Sequence, residues 1–121
     1  MKHTILCVDD EVDNVDALER LFRKRYTILK ATSGAQALDL LKQHSPSLII
    51  SDQRMPNMTG VEFLRALRRE RNGKQPIVVF CTAENDVSEV TEAANAGAND
   101  YIMKPFDRDI IQAKLVEIGM A

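Results

Sequence analysis

Apolar residues follow two rhythms that alternate along the chain. Short, nearly unbroken runs occupy Thr4–Val8, Thr27–Ala31, Leu48–Ser51, Ile77–Cys81 and Tyr101–Met103. Between them, apolar positions recur every three or four residues: Val12, Val15, Leu18, Leu21 and Phe22; Ala37, Leu38 and Leu41; Val61, Phe63, Leu64 and Leu67; Val87, Val90, Ala93 and Ala94; Ile110, Ile111, Leu115 and Ile118. The first rhythm predicts buried strands, and the second predicts helices with one face toward a core. Local signals agree. Ser33 is placed to cap the second helix, and Pro46 to close it. Pro56, Asn57 and Gly60 mark the turn before the third helix, and Asn72-Gly73 stops it. Gly97 suits the residue just past the fourth, and the last helix starts near Asp107.

Five strands alternating with five helices predict an α/β fold: parallel strands joined by right-handed crossovers, with helices on both faces. The third and fourth strands are apolar at nearly every position, as central parallel strands are. The expected architecture is a flavodoxin-like three-layer sandwich with strand order 2-1-3-4-5.

The residues just after each strand carry the chemistry. Asp9, Asp10 and Glu11 follow the first, Asp52 the third, Thr82 the fourth, and Lys104-Pro105 the fifth. In a parallel sheet all of these lie at the carboxyl edge, where ligands bind at the point of strand reversal. In the 2-1-3-4-5 order that point lies between strands one and three, which puts Asp9, Asp10 and Asp52 at its mouth. Singly, each residue has a plainer role. Asp9 or Asp10 could cap a helix, Asp52 could form an Asx turn, Thr82 could be an N-cap and Lys104 a solvated charge. Those roles do not explain their convergence. Clustered carboxylates destabilise a fold unless a cation compensates. A hard divalent ion with oxygen ligands answers that need, and Mg²⁺ suits few carboxylates plus several waters.

Composition narrows the field. The chain has 121 residues, enough for one domain spanning 1–121, with 18 acidic against 16 basic side chains and a net charge of −2. That balance excludes nucleic acid as an expected partner. Arg65, Arg68, Arg69 and Arg71 accordingly read as a solvated face of the third helix. No apolar run approaches the ~20 residues of a membrane span, and Asp9-Asp10-Glu11 interrupts too early for a secretory signal, so a cytoplasmic protein is expected. Cys7 and Cys81 sit inside strands that flank strand three, which predicts buried, reduced thiols and neither a disulfide nor a zinc site.

Taken in order, Asp9-Asp10, Asp52 with Met55-Pro56 and Gly60, Thr82-Ala83, and Lys104-Pro105-Phe106 closely resemble the receiver domain of two-component response regulators, over about residues 2 to 118. The resemblance implies that Asp52 is the phosphoacceptor, taking a phosphoryl group from a sensor histidine kinase or a histidine phosphotransfer protein. It implies Mg²⁺, or Mn²⁺ in its place, held by Asp10, Asp52 and the backbone carbonyl of Arg54, with Asp9 assisting directly or through water. Lys104 and Thr82 would contact the phosphoryl oxygens, with Pro105 aiming the lysine. Thr82 would also drive a switch in which Tyr101 turns inward and the face of helix four, strand five and helix five binds a downstream target. No enzymatic activity beyond its own phosphoryl transfer and autodephosphorylation is implied, and a monomer or weak dimer is expected.

Arg54 and Glu84 occupy variable receiver positions, and their placement on adjacent loops predicts that they meet over the acceptor and restrict attacking water. The ending at Gly119-Met120-Ala121 fits a stand-alone regulator. Phe80–Ile118 looks like chemotaxis-type receivers, whereas Asp52–Leu64 looks like receivers attached to output domains, so an excised or hybrid domain stays open. A receiver fold used as a phosphorylation-independent binding module or phosphate sink also stays open. A small phosphatase of the haloacid-dehalogenase type is disfavoured, because Arg54 stands where that chemistry needs a second aspartate. A flavin carrier is rejected, since Asp9-Asp10-Glu11 would repel the cofactor phosphate.

Overall fold

The structure is a computed structural model that describes residues 3–70, 75–82, 87–103 and 107–119. Its elements alternate as the apolar rhythms predict: β1 (Thr4–Val8), α1 (Val12–Phe22), β2 (Thr27–Ala31), α2 (Gly34–Leu41), β3 (Leu48–Asp52), α3 (Gly60–Glu70), β4 (Ile77–Thr82), α4 (Val87–Ala96), β5 (Asp100–Met103) and α5 (Arg108–Glu117). All strand pairs are parallel, in the order β2-β1-β3-β4-β5. β3 and β4 each run one residue beyond the apolar stretch, into Asp52 and Thr82, and β5 starts one residue earlier, at Asp100.

The sheet buries a core on each face. Val15, Leu18 and Phe22 of α1 and Ile111 and Leu115 of α5 pack against Ile5, Cys7, Ile50 and Val79. On the other face Ala37 of α2 and Phe63, Leu64 and Leu67 of α3 cover Leu6, Val8, Ile49, Val78 and Phe80. Among the described residues, three helix positions predicted to face the core lie outside these clusters: Val12 is 54% and Ile110 45% exposed, and Ala94 is exposed as well. Tyr26, which no helical period includes, is buried edge-on against Phe22, with ring centroids 6.2 Å apart.

The Ser33 cap forms as predicted, and Asp107, expected only near the start of the last helix, proves to be its cap. Ser33 Oγ accepts from the Gln36 N–H at 3.0 Å, and Asp107 Oδ1 from the Ile110 N–H at 3.0 Å. α2 ends at Leu41, before Pro46 is reached. Gly97 follows α4 with φ +94°, the left-handed conformation that makes glycine the natural residue there. Both cysteines are buried, and neither is in a disulfide. Burial, aided by the charge of Glu19, pushes the Cys7 thiol up to about 12, so it is an inert core group.

Arg68 departs from the solvated role expected of it, whereas Arg65 and Arg69 are exposed as expected; Arg71 lies outside the described residues. The Arg68 guanidinium reaches beneath the amino edge of the sheet. Nη1 donates to Gln75 Oε1 and the Pro76 carbonyl, each at 3.2 Å. Nη2 donates to the Gly97 carbonyl and Asn99 Oδ1, each at 3.4 Å. Asn99 Oδ1 also accepts the Val78 N–H at 2.8 Å. Partial burial lowers the Arg68 pKa from its ordinary value. One side chain thus ties the end of α3 to the entries of β4 and β5. Arg68→Ala is expected to cost about 2 kcal/mol in a urea melt, because carbonyls are left without a donor. Arg69→Ala, on the exposed face, should change stability by less than about 0.5 kcal/mol.

Candidate functional site

Parallel register brings the acidic residues together. Val8 pairs with Ala31 on one side and Ser51 on the other. One residue further on, β1 delivers Asp9 and β3 delivers Asp52 to the same rim. The Asp9 N–H donates to the Ala31 carbonyl at 3.1 Å, which carries the pairing into the loop. Asp9, Asp10 and Asp52 each present a carboxylate oxygen within 4.8 Å of the others.

The three differ in setting. Asp9 is only 6% exposed. Its Oδ1 accepts the Glu11 N–H at 3.0 Å, and its Oδ2 accepts Asn14 Nδ2 at 3.0 Å. Asp9 therefore does not cap the first turn of α1 as a plain N-cap would; Glu11 holds that position, and its side chain makes no cap bond. Asp52 is half-buried, and its Oδ1 accepts the Gln53 N–H at 2.9 Å. Asp10 is exposed. Buried charge is thus matched by fixed donors, while the outermost carboxylate faces solvent.

The turn after Asp52 is built for close approach. The Gly60 N–H donates to the Gln53 carbonyl at 2.9 Å. A Cβ on Gly60 would stand 2.7 Å from the Asp52 carbonyl oxygen and 2.9 Å from Phe80 Cε1. Asn57 takes φ +69° within this turn. Thr59 and Glu62 form a capping box: the Thr59 N–H donates to Glu62 Oε1 at 2.9 Å, and the Glu62 N–H to Thr59 Oγ1 at 3.2 Å. These bonds, the Thr59 N–H foremost, hold the Glu62 carboxyl below its ordinary range.

The carboxyl ends of β4 and β5 complete the rim. Thr82 closes β4 in register with Met103, the last residue of β5. Lys104 and Pro105, and Glu84 after β4, lie outside the described residues, so the expected Arg54–Glu84 pairing is a matter for experiment. Arg54 is exposed, two residues past Asp52. Tyr101 is 39% exposed. Its N–H donates to Asp100 Oδ1 at 2.8 Å, and Asp100 Oδ2 pairs with Lys114 of α5 at 3.0 Å. Burial opposes the Lys114 charge, but its bonds to Glu117 and Asp100 outweigh that and raise its pKa.

Among the described residues this is the one cluster of three or more potential metal-ligating groups. Its donors are all hard carboxylate oxygens drawn from two segments, a set that fits Mg²⁺ and not a soft metal. Two contributors went unread in the sequence. Asn14 is a polar residue in the first turn of α1, and only the closeness of that turn to the end of β1 reveals its partner. Gly60 reads in the sequence as a turn residue, and only the fold shows it as the point where α3 meets the end of β3.

Residues 5–116 match the model of the response regulator receiver domain. The chain belongs to that family. It is 35% identical over 111 residues to the chemotaxis protein CheY of Bacillus subtilis, covering 90% of this chain and 91% of that one. It is 36% identical over 112 residues to the transcriptional regulatory protein KdpE of Mycobacterium tuberculosis, covering 92% of this chain but 48% of that protein. The chain therefore spans about half the length of such a transcriptional relative. Among solved structures, the chemotaxis response regulator CheY4 of Vibrio cholerae superposes with a TM-score of 0.90 at 27% identity, over 98% of this chain and 99% of that one. As a receiver of two-component signalling, the protein carries an acidic cluster that fits the magnesium and aspartyl-phosphate site of its family. No helix among the described residues is long and apolar enough to cross a membrane.

Proposed function

We propose that this receiver is a phosphorylation-operated switch, the whole of residues 1–121 acting as one cytoplasmic unit, with Asp52 as the phosphoacceptor. The convergence of Asp9, Asp10 and Asp52 within 4.8 Å at the carboxyl rim carries the reading. A carboxylate oxygen of Asp52 attacks the phosphorus of a phosphohistidine on a sensor kinase or phosphotransfer protein. The new O–P bond forms as the P–N bond breaks, and the imidazole nitrogen keeps the electron pair and takes a proton from solvent. Bound Mg²⁺, or Mn²⁺, supplies neutralising charge for the phosphoryl oxygens. Asp10, Asp52 and the Arg54 carbonyl would hold it, with Asp9 as a direct or water-mediated partner. Lys104 and the Thr82 hydroxyl bind the remaining phosphoryl oxygens, and Pro105 orients the lysine. Arg54 and Glu84 shield the acyl phosphate from water.

The output follows from Thr82. Drawn to the phosphoryl group, it pulls the loop after β4, and Tyr101 turns inward from its exposed starting position. The surface of α4, β5 and α5 then presents a new shape to a target protein. The domain catalyses nothing beyond its own phosphorylation and dephosphorylation, and works as a monomer or weak dimer without nucleic-acid or membrane contact.

Incubation with acetyl phosphate and Mg²⁺, followed by intact mass measurement, tests the reading. A gain of about 80 Da is expected in the wild type, absent in Asp52→Asn and without Mg²⁺. A wild-type chain that gains no mass would leave the fold as a phosphorylation-independent docking module.

A further inference from the structure

Asp9 is the buried member of the acidic triad, and its carboxylate accepts a donor on each oxygen: the Glu11 N–H on Oδ1 and Asn14 Nδ2 on Oδ2. The two donors differ in kind. The Glu11 amide belongs to the loop backbone and would be present with any side chain at that position. The Asn14 amide is a choice of residue, made in the first turn of α1, beside the buried Val15 and on the side of the helix that reaches the end of β1. The two bonds hold one carboxylate oxygen each, from the loop and from the helix. The second bond, to the other oxygen, fixes the plane of the group. It also offsets part of a negative charge that stands within 4.8 Å of two more.

We infer that Asn14 is a positioning residue for the divalent cation: it sets the Asp9 carboxylate in the orientation the ion requires before the ion arrives. The inference rests on the proposed Mg²⁺ site. Partners of this kind, which touch a ligand and not the metal, typically carry about 10–100-fold of a site's affinity or activity. Asn14 is half-buried and its side chain contributes to neither core cluster, so its loss should be felt at the site more than in the fold.

The test is a double-mutant cycle read by Mg²⁺-dependent thermal stability, with apparent affinity taken from melting temperature against Mg²⁺ concentration. Asn14→Ala and Asn14→Leu are expected to weaken Mg²⁺ about tenfold while melting within a few degrees of the wild type in chelator. In an Asp9→Asn background, Asn14→Ala should change Mg²⁺ affinity by less than twofold, because the residue acts through that carboxylate. Wild-type affinity in both Asn14 variants would overturn the inference and leave the metal reading intact. An equal tenfold loss in the Asp9→Asn background would also overturn it, since Asn14 would then act by another route. A wild type that shows no Mg²⁺ response at any millimolar concentration would overturn the metal reading itself, and the inference with it.

Discussion

Gly60→Ala is expected to destabilise the domain by about 3 kcal/mol, the upper end of the range for overpacking, although it adds a single methyl group. The added carbon would lie 2.7 Å from the Asp52 carbonyl oxygen, 2.9 Å from Phe80 Cε1 and 3.0 Å from Gln53 Cα. Two of these obstacles are backbone, and the third is a ring held at 0% exposure, so none can swing aside. Relief requires α3 to withdraw from the end of β3, which would cost the 2.9 Å bond from the Gly60 N–H to the Gln53 carbonyl. A urea melt measures the loss as a fall in midpoint at unchanged slope. Because the displaced backbone belongs to Asp52, the proposed acceptor, phosphorylation by acetyl phosphate should slow as well.

Other glycines show that position, not residue type, decides this. A Cβ at Gly97 would meet nothing within 4 Å, so Gly97→Ala bears only the left-handed backbone penalty of about 1 kcal/mol. At Gly34 the nearest atom is Met58 Sδ at 2.6 Å, the flexible far part of a side chain that can re-pack. Phe80→Leu combined with Gly60→Ala should recover part of the loss, because it removes the ring contact and leaves the backbone ones. A double variant no more stable than the sum of its parts would count against the steric account.

The sheet was legible because parallel strands buried on both faces are nearly all apolar, and because connecting helices keep their period. The site was legible for a related reason: parallel strands in step end on one rim, so residues that follow different strands become neighbours. Periodicity names the inward side of a helix but not what stands opposite it. Val12 and Ile110 keep the apolar spacing yet sit in first turns, away from the packed stripes of Val15, Leu18 and Phe22 and of Ile111 and Leu115. Arg68 shares a basic stretch with exposed arginines, and only the approach of Pro76, Gly97 and Asn99 turns it into a tie between elements. Asn14 escaped notice for the same reason, since its partner lies five residues back across a change from strand to helix.

Asp10→Asn should reverse its effect on stability according to whether Mg²⁺ is present. Asp10 is exposed and makes its contribution to the cluster largely as charge, facing the oxygens of Asp9 and Asp52 within 4.8 Å. Two like charges at that separation repel by about 1 kcal/mol in a water-like medium and by more near a protein surface. In chelator, removing one of the three should therefore stabilise the fold by about 1 kcal/mol, a rise of roughly 4 °C in melting temperature for a domain of this size. With Mg²⁺ at about a hundred times its dissociation constant, ligand linkage adds about 2.7 kcal/mol to the wild type. The variant, short of one proposed ligand, should gain only a small part of this. Its melting curve would then fall below that of the wild type, having stood above it in chelator. Raised ionic strength should shrink the difference in chelator, because exposed charges are screened. Curves that stay parallel, with the same offset at zero and at 10 mM Mg²⁺, would show that Asp10 neither repels its neighbours nor helps to hold the ion. A crossing ties both effects to one carboxylate, and identifies the instability of the metal-free rim as the source of its affinity for a cation.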